Sequence, residues 1–132
     1  MRREHIVPLS PQAIAVLREL GALPGSAVNP FLFPSPSCEG YMSNNTMLYA
    51  LYRMGYHGRA TVHGFRALAS TALNEMGFRS DVVERQLAHQ EQNSVRAAYN
   101  RAEYLFERRV MMNRWAEHLD ELMGKIVTFK SA

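Results

Sequence analysis

The stretch Thr61-Val62-His63-Gly64-Phe65-Arg66-Ala67-Leu68-Ala69-Ser70-Thr71-Ala72-Leu73 decides how this chain is read. It reads as the N-terminal part of a helix. On a helix, His63 and Arg66, three positions apart, lie on one face, where an imidazole and a guanidinium can grip one phosphate. Working outward, His89 ends a second short helical segment, Gln86-Leu87-Ala88-His89, and Tyr99 stands ten residues beyond it. An imidazole, a cation, a second imidazole and a phenol in this order fit the handling of a phosphodiester.

Each residue has a task in that chemistry. A phosphodiester is anionic, so a nucleophile reaches it only once its nonbridging oxygens are neutralised and held in line. Arg66 suits that clamp, since fixed charge aimed at a developing anion is a strong catalytic effect. His63 can hydrogen-bond the same phosphate or take the nucleophile's proton, and His89 offers a second donor. Tyr99 has an unperturbed pKa of roughly 10 and needs basic or cationic neighbours to attack near neutral pH. Tyr104 competes for the nucleophile's place. The context Ala97-Ala98-Tyr99-Asn100-Arg101 favours Tyr99.

Elsewhere the pattern is helical. His5-Ile6-Val7-Pro8-Leu9 reads as a short strand end, and Ser10 with Pro11 as the cap and first turn of a helix buried through Ile14, Leu17 and Leu20 and closed near Gly21. Pro24 to Gly40 reads as a loop anchored by Phe31-Leu32-Phe33. A second helix starts near Ser43, buries Met47, Leu48, Leu51 and Met54, and stops at Gly55, before a donor-rich turn to Thr61. The third turns Leu68, Ala69, Leu73 and Met76 inward and stops at Gly77. Asp81 and Glu84 have the spacing of a capping box for the fourth. Gln90 to Ser94 reads as a loop, and a last helix from about Leu105 to Leu122 carries Met112, Trp115, Leu119 and Leu122 as a packing stripe. The expected fold is mainly α, with minor β at the N-terminus, in one domain over 1–132: lead-in helices and loop over 1–60, motif-bearing helices over 61–123 and a tail over 124–132.

The 132 residues are 47% hydrophobic and 20% charged, ordinary for a globular chain with a modest core. No apolar run reaches the ~20 residues of a membrane span, and the start lacks a signal peptide's apolar core. A cytoplasmic, membrane-free protein is expected. The lone Cys38 can form no intrachain disulfide. Histidines 5, 57 and 118 lack metal-ligand spacing, so neither metal nor cofactor is expected. Net charge is +3 and the basic residues are nearly all arginine, with only Lys125 and Lys130 as lysines. Arginine grips phosphate through paired hydrogen bonds. Arg53, Arg59, Arg66, Arg79, Arg85, Arg96 and Arg101 are spread through the candidate site's segments, with Arg59, Arg96 and Arg101 as further DNA-contact candidates.

Residues from about Thr61 to Trp115 resemble the C-terminal catalytic half of tyrosine recombinases, most closely prophage and genomic-island integrases. HGFRALASTALNEMG resembles the family's His-x-x-Arg helix, VVERQLAHQ the segment with the second histidine, and VRAAYNRAEYLFERR the nucleophile segment and the helix after it. The resemblance implies that Tyr99 attacks the scissile phosphate and Arg66 is the second clamping arginine. It makes His63 the general base or proton shuttle, and His89 a transition-state hydrogen-bond donor. It further implies site-specific recombination of double-stranded DNA attachment sites by a homotetramer, without ATP or metal, and a terminal helix region that docks onto a neighbouring protomer.

The chain also departs from the family pattern. Between Met1 and Val62 there is no lysine, and no match to the family's first clamping arginine. MRREHIVPLS resembles the segment just after the family's lysine hairpin. The expectation is a C-terminal fragment that folds but does not cleave DNA alone. A tyrosine-type topoisomerase and a noncatalytic DNA-binding remnant are the alternatives.

Overall fold

A computed structural model describes residues 5–23, 30–36, 40–88 and 103–128. Among the described residues five helices follow in order: α1 (Pro11–Gly21), α2 (Thr46–Arg53), α3 (Val62–Glu75), α4 (Ser80–Gln86) and α5 (Leu105–Thr128). The chain divides into two compact units, Met1–Ala13 with Ser70–Ala132, and Ile14–Ala69. The mainly helical expectation holds. No helix among the described residues is long and apolar enough to cross a membrane.

In the unit of Ile14–Ala69, α2 ends where Gly55 adopts a left-handed φ of 85°. Gly55 N–H donates to the Tyr52 carbonyl at 3.0 Å, and Tyr56 N–H to that of Leu51 at 3.0 Å, the paired bonds that satisfy a helix's last carbonyls. The turn after it is folded on itself, Arg59 N–H reaching the Tyr56 carbonyl at 2.9 Å, and His57 packs edge-on against Tyr52 with ring centroids 4.2 Å apart. Phe31, Leu32 and Phe33 are exposed rather than anchored in a core. Their loop is tied locally by the isolated bridge between Pro34 and Tyr41, and Phe31 packs on Tyr41 at 5.2 Å. Leu51 is the buried residue of α2, while Met47 and Met54 are exposed. In α1, Ile14 is also exposed and no residue is fully buried.

In the other unit, Leu73, Val82, Val83 and Met111 form the core, with Met76, Phe78, Leu87, Tyr104, Met112 and Trp115 packed around them. The expected strand at His5–Leu9 is not formed. A strand needs a neighbour's ladder of hydrogen bonds, and this segment is held by side chains instead. The Ile6 carbonyl accepts from the Arg108 guanidinium at 2.6 Å, and the His5 ring donates to the Gln86 carbonyl at 3.3 Å. Ser10 caps α1 as expected, its buried hydroxyl accepting from Ala13 N–H at 3.2 Å. Asp81 does not cap α4. The helix begins earlier, with Arg79 at the cap position and no side-chain cap bond. Asp81 lies in the first turn, where its carboxylate accepts from Val82 N–H at 3.1 Å and suits the helix's positive end.

Two stripes are corrected. In α3, Leu73 is buried but Leu68 is 59% exposed. Five residues of helix turn the chain about 140° away from its starting direction, so the two cannot share one buried line. In α5 the buried positions are Arg108, Met111 and Ala116, whereas Leu119 and Leu122 are exposed.

Candidate active site

α3 starts at a cap that the sequence reading did not single out. The Thr61 hydroxyl accepts from Gly64 N–H at 2.9 Å, satisfying one of the donors a helix leaves open at its start. A Cβ on Gly64 would meet that oxygen at 3.1 Å, so glycine leaves the cap room. Thr61→Ala is expected to cost about 1 kcal/mol of stability, read from equilibrium denaturation, and a loss below a few tenths would show that the cap is not what holds this end.

This capped turn carries the two candidate residues. His63 is exposed and Arg66 partly buried, and both stand on the first two turns of a regular helix, as the three-residue spacing predicts. The helix's positive end adds to the attraction for an anion near these side chains. Arg59 is exposed in the turn before α3. His89, Tyr99, Arg96 and Arg101 lie outside the described residues. Among the described residues, no three His, Cys, Asp or Glu side chains gather as metal ligands.

The remaining arginines divide by their partners. Arg79 and Arg85, which charge alone groups with phosphate-contacting residues, are instead paired with carboxylates. Arg79 bonds Asp81 at 2.6 Å and Glu107 at 3.5 Å, and its guanidinium lies 5.3 Å from the centre of the Tyr104 ring. Hydrogen bonding to Asp81 raises the Arg79 pKa. Burial by itself would push the Asp81 carboxyl up, but hydrogen bonds from Arg79 and Tyr104 bring it below its ordinary value. Tyr104 is thus engaged with α4 and packed at the core. Arg85 pairs with Glu103.

Arg108 was missed. It is fully buried, its Nε donating to the Gln86 side chain at 2.8 Å and its terminal nitrogens to the carbonyls of Glu103 at 3.2 Å and Ile6 at 2.6 Å. Burial lowers its pKa and the Glu103 carboxylate acts against that. A signal existed in the sequence: Arg108 stands three, four and seven residues before Met111, Met112 and Trp115, the spacing of one helical face.

Comparison with known proteins supplies the family. The family model described as "Phage integrase family" matches residues 1–105. The chain is 48% identical over 118 residues to the prophage integrase IntA of Escherichia coli K12, covering 89% of this chain and 28% of that protein. It is 46% identical to the integrase of Enterobacteria phage P4, covering 97% of this chain and 30% of the relative. It is 40% identical to the integrase of Shigella phage Sf6, covering 91% and 31%. The chain therefore spans less than a third of the length of these relatives. No solved structure matches it. A family match over residues 1–105 that takes in the capped His63–Arg66 helix is decisive, and the chain belongs to the phage integrase family.

Proposed function

We propose that these residues serve site-specific DNA recombination by tyrosine-mediated strand cleavage and rejoining. The observation that carries this is the His63–Arg66 pair on the capped first turns of α3, within the integrase match. The Tyr99 oxygen attacks the scissile phosphorus, a phosphotyrosine bond forms to the three-prime side, and the bond to the five-prime oxygen breaks. That oxygen leaves as a hydroxyl after taking a proton. The hydroxyl of a partner strand reverses the step, so the bond energy is kept within the complex. Arg66 holds the phosphate, His63 accepts or relays the nucleophile's proton, and His89 donates to the transition state. Arg59, Arg96 and Arg101 are weaker candidates for contacts to the DNA backbone.

The substrate in this reading is a pair of double-stranded attachment sites held by a homotetramer in the bacterial cytoplasm. The 132 residues supply part of the machinery and do not cleave alone. Supporting this, no lysine and no first clamping-arginine motif occur before Val62. The test uses a nicked DNA that traps the covalent intermediate. The full-length protein encoded by the gene containing these residues should form a protein–DNA adduct, and Tyr99→Phe should remove it. An adduct that survives Tyr99→Phe overturns the nucleophile's assignment, and an adduct formed by the 132 residues alone overturns their dependence on further residues.

A further inference from the structure

Between Glu39 and Glu75 the chain carries no aspartate and no glutamate, yet it carries Arg53, Arg59, Arg66, His57 and His63. Arg53 is the last residue of α2, and His57 and Arg59 follow in the turn that leads to α3; all three are exposed. That turn is closed by its own backbone. Gly55 and Gly58 take left-handed φ values of 85° and 70°, and the N–H groups of Arg59 and Ala60 both donate to the Tyr56 carbonyl, at 2.9 and 3.1 Å. Arg59 stands four residues before His63, so their Cα atoms lie at most about 14 Å apart. At about 3.4 Å per phosphate along one strand, that reach is about four nucleotides. Arg79 and Arg114, in the other unit, are in a different electrostatic setting: Arg79 meets Asp81 and Glu107, and Arg114 meets Glu117 and Glu121. Among the described residues no carboxylate is paired with Arg53 or Arg59.

We propose that the turn between α2 and α3 is a phosphate-binding lobe for duplex DNA, in which Arg53 and Arg59 contact backbone phosphates a few nucleotides from the one held by Arg66. This inference deepens the recombination reading and rests on it. Arginine contacts to phosphate release condensed counterions and carry no sequence information, so the lobe raises affinity for any duplex alike and sets its position on the protein. The turn runs directly into the Thr61 cap of α3, so a duplex seated on it is registered against the helix that bears His63 and Arg66.

The experiment measures equilibrium binding of the full-length protein to two duplexes, the nicked substrate and an unrelated sequence of the same length, over a series of salt concentrations. Arg53→Ala/Arg59→Ala should weaken binding to both duplexes by about ten- to a hundredfold near physiological salt, and should reduce the slope of log affinity against log salt by about two, one for each phosphate contact. Arg53→Lys/Arg59→Lys keeps the charges and should stay within about threefold of wild type. Arg114→Ala removes the same charge from a site already matched by carboxylates and should stay within about twofold. An alanine double variant within twofold of wild type, an unchanged salt slope, or a loss confined to one of the two sequences overturns the proposal. So does a lysine double variant as weak as the alanine one, which would point to structure rather than charge, or an equal loss in Arg114→Ala, which would point to net charge alone. Failure of the underlying reading looks different: wild type then forms no adduct on the nicked substrate, or binds DNA without salt dependence, and both proposals fall together.

Discussion

Arg66→Ala in the full-length protein is expected to slow covalent adduct formation about a thousandfold, the scale on which a preorganised charge at a developing anion acts. In the proposed reaction, negative charge accumulates on the nonbridging oxygens as the tyrosine oxygen approaches phosphorus. A planar guanidinium can meet two of them with parallel hydrogen bonds, an arrangement an ammonium cannot copy. Arg66→Lys therefore separates charge from geometry and should remain about a hundredfold below wild type. The side chain stands on a helix already capped by Thr61, and the core of α3 lies at Leu73, so the fold should survive either change with a stability loss of about 1 kcal/mol. Single-turnover rates beside a denaturation curve check both halves. An alanine variant cleaving within tenfold of wild type would remove Arg66 from the phosphate.

Much of the helical framework is legible in the sequence alone. The helix from Val62, the Ser10 cap, the stops at Gly55 and Gly77 and the start of α5 at Leu105 all follow from local chemistry that the sequence displays directly. Local rules are less able to say which face is covered. Leu68 and Leu73 are equally apolar, and only tertiary packing buries the second and exposes the first. Asp81 with Glu84 has capping-box spacing, yet the helix begins before it, because Asp81 is drawn into bonds with Arg79 and Tyr104. His5–Leu9 reads as a strand by composition, but extended chain becomes strand only where a partner offers a ladder, and here the partners are an arginine and a glutamine carbonyl. The arginines are the hardest to sort. Charge alone assigns Arg79 and Arg85 to a phosphate surface, while the structure gives each a protein acceptor.

Arg108→Met is expected to destabilise the unit built on Leu73, Val82, Val83 and Met111 by about 3 kcal/mol, despite filling a similar volume with an apolar chain. Two effects oppose one another. Methionine removes the cost of keeping a guanidinium dry, which is the larger influence on the Arg108 pKa. It also abandons the Gln86 side chain and the carbonyls of Ile6 and Glu103, and a buried acceptor left without a donor costs about 1–3 kcal/mol. The Glu103 carboxylate, part-exposed and still paired with Arg85, can turn to water, which places the loss at the lower end of the roughly 3–5 kcal/mol typical of a broken buried pair. Three acceptors against one relieved charge decide the sign. Arg108→Lys distinguishes the causes, since it keeps the charge but cannot reach partners in three directions. If hydrogen bonding dominates, lysine should recover less than half of the loss. Because the chain comprises two units, the loss should be read from amide hydrogen exchange in α4 and the first turns of α5 rather than from a single melting curve. Unchanged protection there in the methionine variant would mean that packing around Met111, and not the arginine's hydrogen bonds, holds α4 against α5.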